Sequence, residues 1–273
     1  TLDYYIDKES DSLDLKLEVL SNGEIIRTYT NKKVKDFKSW PGGPSKPAVL
    51  PAKKGFNRFT WDFRRDALPA VEKVFVYGSY AGSRIGPGTY QLRMTMDGVS
   101  SDTDVTVLPN PKIMSSTADY KEQQATLVQI ESAIKGIHEA VNQMRSAQSQ
   151  LKGYAKLLKD QEEAKDLLEK GKALIERISS WEENLIQPKQ KTFQDVINYH
   201  NQLNAELMNL KNYVDAAEPK VTQGAKDRLR DLLSQWSTYD KERTSIVETE
   251  MKEYNSLFKS LDIPAIVLPE NNE

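Results

Sequence analysis

Two spacings of hydrophobic residues divide this chain. Up to about residue 108, large apolar residues alternate with polar ones. Leu2, Tyr4 and Ile6 follow this pattern, as do Leu13, Leu15, Leu17 and Val19, then Phe59, Trp61 and Phe63, then Tyr90, Leu92, Met94 and Met96. A period of two marks half-buried strands. It predicts strands over 1–7, 13–19, 24–30, 56–63, 88–96 and 99–108, with an edge or irregular strand over 71–77. Asn22-Gly23 and Asp97-Gly98 predict two-residue hairpin turns, because both turn positions need positive φ. About seven short strands in this span predict an immunoglobulin-like antiparallel β-sandwich over residues 1–110. Trp61 is expected in its core beside Phe59 and Phe63. Residues 31–54 are rich in Lys, Pro and Gly and contain Trp40-Pro41-Gly42-Gly43-Pro44. Proline is excluded from central strands, so this stretch reads as a long exposed excursion.

After Pro109-Asn110-Pro111 and a linker over 111–116, the spacing lengthens. Leu127, Ile130, Ile134, Ile137, Val141, Met144 and Leu151 recur at steps suited to one face of a long helix. Ser115, Ser116 or Thr117 can cap it. A second helix is expected from about 161 to 185, with Leu167, Leu174, Ile178, Trp181 and Leu185 on one face, ending before Pro188. Thr192 with Asp195 resembles a capping box, with Asp in place of the usual Glu or Gln. A third helix carries Leu203, Leu207, Leu210 and Val214. Thr222 caps a fourth, which carries Leu229, Leu232, Trp236, Ile246, Tyr254 and Leu257 and ends before Pro264. The expected architecture is β followed by α: the sandwich, then an antiparallel four-helix bundle over 117–263. The first and fourth helices should each run about 60 Å, with Gly136 and Gly153 as weak points in the first. Residues 264–273 read as an extended apolar tail. The Pro109–Pro111 joint is expected to separate two foldable units.

Composition changes this picture in a few places. Charged residues make up 29 % of the chain, which suits long solvated helices. A net charge of -2 gives no global electrostatic case for nucleic acid or an anionic membrane. The chain has no cysteine, which excludes thiol catalysis, disulfides and thiolate metal sites. No apolar run reaches the ~18 residues of a membrane-spanning helix. Thr1-Leu2-Asp3-Tyr4-Tyr5 lacks the layout of a signal peptide and reads as an interior strand, so a longer parent chain is expected.

Candidate chemistry is sparse. The two histidines, His138 and His200, lie on different predicted helices without the Glu-x-x-His spacing of bundle di-metal sites. No Gly-x-Ser-x-Gly elbow occurs. Asp62 is the one acid inside a distinctive motif, and it reads as a hydrogen-bond acceptor or a partner of Arg64 or Arg65. Ser101-Asp102-Thr103-Asp104 spaces acids like part of a calcium loop but lacks the glycine and closing Glu. No catalytic residue, cofactor or metal site is therefore expected. The remaining signal is surface. Trp40, Tyr77 and Tyr80 fall in predicted loops, where they could stack on a sugar or a partner or anchor their own loops. Seven lysines from Lys32 to Lys54 make the long loop basic, which suits either solvent or an acidic partner.

The motifs occur in a telling order. Thr1-Leu2-Asp3-Tyr4-Tyr5, the Asn22-Gly23 hairpin followed by Ile26-Arg27, Gly55-Phe56-Asn57-Arg58, Trp61-Asp62-Phe63-Arg64 and Gly86-Pro87-Gly88-Thr89-Tyr90 follow one another. This series resembles the C-terminal part of large exported bacterial proteins that carry a sortilin-type, BNR-repeat β-propeller and are often labelled glycosyl hydrolases. In that family the segment after the propeller is similar to a flagellar hook-cap-type immunoglobulin-like domain followed by a helical region. Glu253-Tyr254-Asn255-Ser256-Leu257 and Asp262-Ile263-Pro264 resemble its closing pattern. Asn110-Pro111-Lys112 departs from the family's usual Asp-Pro-Arg. The resemblance implies that Asn57, Arg58, Trp61, Asp62, Arg64, Pro87, Gly88 and Tyr90 are structural. It also implies a location outside the cytoplasm (periplasmic, cell-surface or secreted) and an upstream propeller as the first partner. A protein or carbohydrate of the cell envelope is the second. The expected role is a non-catalytic module that supports or displays the propeller. Two alternatives stay open: an accessory part of a propeller-based glycoside hydrolase or carbohydrate-binding protein, and an adaptor in a cell-envelope assembly.

Overall fold

A computed structural model describes residues 1–7, 12–261 and 263. The expected tail over 264–273 lies outside the described residues. The fold is mixed β and α. Its strands are β1 (Leu2–Ile6), β2 (Leu15–Ser21), β3 (Glu24–Thr30), β4 (Gly55–Phe59), β5 (Gly88–Met96) and β6 (Val99–Val107). They form two antiparallel sheets, one of β1 and β4 and one in the order β3-β2-β5-β6. Both predicted hairpins close on two-residue turns, with Ser21 opposite Glu24 and Met96 opposite Val99. Asn22, Gly23, Asp97 and Gly98 all carry positive φ there. Ile6 and Phe59 from the smaller sheet join Leu15, Leu17, Val19 and Tyr90 from the larger in one apolar cluster with Trp61.

Two strand expectations change. β4 stops at Phe59, and further on Phe63 takes positive φ and is 46 % exposed. Phe59 and Trp61 are buried, but the alternation does not reach Phe63. Trp61 donates its indole N–H to the Arg64 carbonyl at 3.1 Å, within the bend. Residues 71–77 form no strand, so the described residues hold six strands. Lys73 has positive φ, and Val74 N–H turns back to the Val71 carbonyl. Val71, Val74 and Val76 are buried against helices instead of pairing with a strand.

The helices are α1 (Thr117–Leu157), α2 (Lys165–Glu182), α3 (Leu203–Val214), α4 (Gln223–Ser245) and α5 (Met251–Ser260). Ser116 caps α1 in a capping box with Asp119. Thr222 caps α4 by accepting from Ala225 N–H. The Thr192–Asp195 box is also present, but it opens the 3₁₀ turn Phe193–Ile197 rather than a long helix. A π-helical turn, Ile246–Glu250, joins α4 to α5. α1 packs against α2, α3 and α4, while α2 also meets α4 and α5. The predicted α1 stripe is buried from Leu127 to Leu151. α1 runs unbroken through Gly136, which faces the Trp236 ring.

The segment from Phe63 to Ile85 ties the two halves together. Its arms pair at the base: Ile85 N–H bonds Phe63 O, Arg65 N–H bonds Ser83 O and Leu68 N–H bonds Tyr80 O, all within 3.0 Å. The arms are so close at Gly82 that a Cβ would lie 2.3 Å from the Asp66 carbonyl oxygen. The tip then crosses to the helices. Leu68, Val71, Val74, Val76 and Tyr80 join the helical apolar core, although they precede the Pro109–Pro111 joint by some thirty residues or more. The 31–54 loop braces this tip, with Trp40 Nε1 donating to the Val74 carbonyl at 2.9 Å.

Candidate functional site

The junction between the halves gathers a cluster of partly to fully buried charged side chains. Arg64 extends from the crossing segment, donating through Nη1 to Gly82 O at 2.8 Å and pairing with Asp215 at 3.0 Å. Asp215, just after α3, also accepts Arg84 N–H at 3.0 Å. Lys211 of α3 is 1 % exposed and donates its ammonium to the Ala81 carbonyl at 2.5 Å. Glu131 of α1 accepts Ser83 N–H at 2.5 Å. Burial pushes the Glu131 carboxyl up, opposed by Ser83 and then by Lys211. Burial pushes Lys211 down, opposed by Glu131 and Asp215. Period-based reading passes over this cluster. A signal was present: Lys211 lies four residues after Leu207 and three before Val214, on the apolar face of α3.

Beside the cluster opens a cleft of about 1160 Å³. Its walls include Tyr29, Asp62, Arg64, Arg65, Tyr80, Glu131 and Glu139. Asp62 accepts hydrogen bonds from Tyr29 Oη and Arg64 N–H, each at 3.2 Å, so one of its two expected partners is met through the backbone. Burial pushes the Tyr29 phenol up to about 12. Arg27 lies over the Tyr29 ring at 4.5 Å and donates to the Arg65 carbonyl.

The expected surface aromatics fare differently. Tyr77 is 49 % exposed and packs at a tilt against Phe193, with ring centroids 5.1 Å apart. Trp40 is half-buried. Tyr80 is 4 % exposed, its ring 5.8 Å from His138, so it is a core residue and not a surface one. Its side chain follows the crossing segment into the helices. The structural motif residues hold loops and turns. Asn57 is buried and bonds Lys53 N–H, Lys53 O and Gly55 O. Arg58 pairs with Asp3 at the surface. Tyr90 Oη donates to Gly86 O at 2.7 Å, across the turn containing Pro87 and Gly88. Asp102 of β6 pairs with Arg93.

His138 and His200 have separate surroundings. His200 is exposed. His138 is fully buried on α1, with Nδ1 2.7 Å from Pro69 O and Nε2 3.2 Å from the Asn204 amide nitrogen. These partners fit a neutral ring with Nδ1 protonated. Among the described residues no group of three or more His, Asp or Glu is placed to hold a metal. Burial lowers the His138 pKa below its usual 6.5. A lowered pKa gives stability that is full above 6.5 and lost as pH falls through the folded value. Melting temperature is therefore expected to drop as pH falls from 7 toward 5. His138→Gln should flatten that dependence, and an unchanged slope would show that another group carries it.

No family model, curated protein or solved structure matches the chain. No described helix is long and apolar enough to cross a membrane.

Proposed function

We propose that this chain is a non-catalytic structural module of an exported β-propeller protein. An immunoglobulin-like sandwich and a four-helix bundle are locked together to support the propeller and to dock on a cell-envelope partner. One observation carries the reading. The crossing segment Phe63 to Ile85 places five apolar side chains in the helical core and fastens its base through Arg64–Asp215 and Lys211–Ala81. The charged groups at the junction are thus engaged in holding one half to the other. Such groups suit a rigid spacer better than a reaction centre, where they would face a substrate.

A second reading rests on the cleft. Asp62 and Glu131 both line it, and burial raises the Glu131 carboxyl, as a general acid requires. The module would then contribute to a glycoside-binding or glycoside-cleaving site. Assay of the chain alone against a panel of chromogenic glycosides and soluble polysaccharides separates the two. We expect no turnover. Turnover abolished by Asp62→Asn or Glu131→Gln, with melting unchanged, would overturn the structural reading. In a full-length propeller protein, removal of residues 115–268 is expected to impair assembly or location while leaving the propeller's own activity intact.

A further inference from the structure

The two sheets share one core but differ in width. The larger has four strands and the smaller only two. The inner face of the larger sheet follows from its register. Leu15, Leu17 and Val19 stand opposite Met96, Met94 and Leu92, which in turn stand opposite Val99, Ser101 and Thr103. β1 and β4 cover only part of this face. Leu92, Met94 and Met96 remain partly exposed, and Val99 is 76 % exposed. Over this uncovered part lies a mainly apolar slot of about 330 Å³. Leu92, Met94 and Met96 form its floor, and Ser101 and Thr103 continue it along β6.

The wall of the slot is the informative part. Four successive residues of β1, Leu2 to Tyr5, line it. Successive residues of a strand point to opposite faces, so a wall built from all four is the strand's edge. Among the described residues β1 pairs only with β4. Its other edge, unpaired among the described residues, sets backbone N–H and C=O groups directly above an apolar floor. Edges of this kind recruit another strand.

We propose that this slot is a strand-acceptor site. It takes an extended segment of a partner polypeptide, which pairs with β1 and widens the smaller sheet from two strands to three. Pairing along the five residues of β1 needs a strand of about 17 Å at ~3.4 Å per residue. Every second side chain of that strand turns toward Leu92 and Met94, so those positions are apolar and small. The slot's lining includes Asp3 and Asp102 and no basic residue, although Arg58 and Arg93 pair with these acids from outside it. These exposed and already paired carboxylates leave only a weak bias toward lysine or arginine flanking the apolar stretch. A second copy of this chain fits poorly. Its own Leu2, Tyr4 and Ile6 already pack on its own core, so its β1 cannot turn the same side chains into a neighbour's slot. The slot does not depend on the propeller reading.

The test uses the chain as described and a capped eight-residue peptide of alternating valine and threonine with lysine at each end. Binding is followed by fluorescence anisotropy, and its location by backbone amide hydrogen exchange. We expect saturable binding that protects the β1 amides facing away from β4. Two prolines at central valines should abolish it, since proline donates no ladder hydrogen bond. Glutamates in place of the lysines should weaken it about two-fold or more. Ser101 is exposed, so Ser101→Arg should leave melting unchanged. It should also lay a long cation in the slot, weakening the lysine-flanked peptide by about ten-fold or more. Protection on the outer edge of β3 or β6 instead of β1 would overturn the proposal. So would equal binding of the proline peptide, or prior protection of the β1 amides that face away from β4. Concentration-dependent dimerisation with β1 protection would assign the edge to a second copy and overturn it as well.

Discussion

A chain cut to residues 111–263 is expected to lose cooperative melting while keeping much of its helical circular dichroism. The cut removes Leu68, Val71, Val74, Val76 and Tyr80, all buried among the helices. Burying a side chain of this size contributes about 1.5–3 kcal/mol. Five such losses approach the whole ~5–15 kcal/mol that separates a folded domain from its unfolded chain. Polar bonds go with them. His138 loses Pro69 O, Asn142 loses Ala70 O, Arg145 loses Glu72 O and Lys211 loses Ala81 O. The remaining helices would expose an apolar face and bind a hydrophobic dye, as compact states without fixed packing do. Adding residues 1–110 as a separate chain should restore sharp melting. Cooperative unfolding of 111–263 alone, with no dye binding, would show that the helices complete their own core.

Lys211→Met is expected to destabilise the whole chain at neutral pH by about 1–3 kcal/mol, the range for leaving a buried acceptor, here the Ala81 carbonyl, without its donor. Asp215 keeps Arg64 as its partner, so the electrostatic part of the loss falls mainly on Glu131. Glu131→Gln retains an oxygen for Ser83 N–H and carries no charge. The double variant Lys211→Met with Glu131→Gln should therefore regain the electrostatic part of the loss but not the Ala81 bond, with a coupling of about 0.5 kcal/mol or more. pH gives an independent check. The folded pKa of Glu131 is raised, so its contribution to stability is full below the ordinary 4.5 and declines as pH rises through the folded value. Lys211 opposes that rise, and its removal moves the folded value further up. The single variant should then recover stability on mild acidification, against the His138 trend. Denaturant titrations at pH 5 and pH 7.5 would show it, and an equal loss at both would remove Glu131 from the account.

Features whose determinants are local could be read from the sequence. Asn22-Gly23 and Asp97-Gly98 define their turns within two residues, and the α1 stripe repeats within each turn of one helix. Thr192 and Asp195 do form a capping box, but it opens only a 3₁₀ turn, and α3 starts at Leu203 with no side-chain cap. The larger miss is non-local. Val71, Val74 and Val76 look like a strand because apolar spacing alone does not say what covers it. Here the cover is supplied by helices that begin at residue 117. Tyr80 reads as a surface residue for the same reason. Arg64 and Asp215 lie 151 positions apart, a separation no period can report. Lys211 is the exception. Its place on the apolar face of α3 marks it as a buried cation needing an acceptor.

The crossing segment also imposes a schedule on synthesis. Val71 through Tyr80 leave the ribosome long before α3, the last stretch of which ends at Val214. At ~5–20 residues per second, their cover arrives about 7–27 s later. During that interval three valines and a tyrosine that are buried in the finished protein are at best partly covered, since only α1, whose His138 meets Tyr80, is made before α3. The sheets can close around Trp61 meanwhile, leaving this tip as the sticky part of a half-made chain. Its length of exposure is fixed by gene order rather than by stability. A slower ribosome would therefore favour aggregation of nascent chains without altering the folded molecule at all.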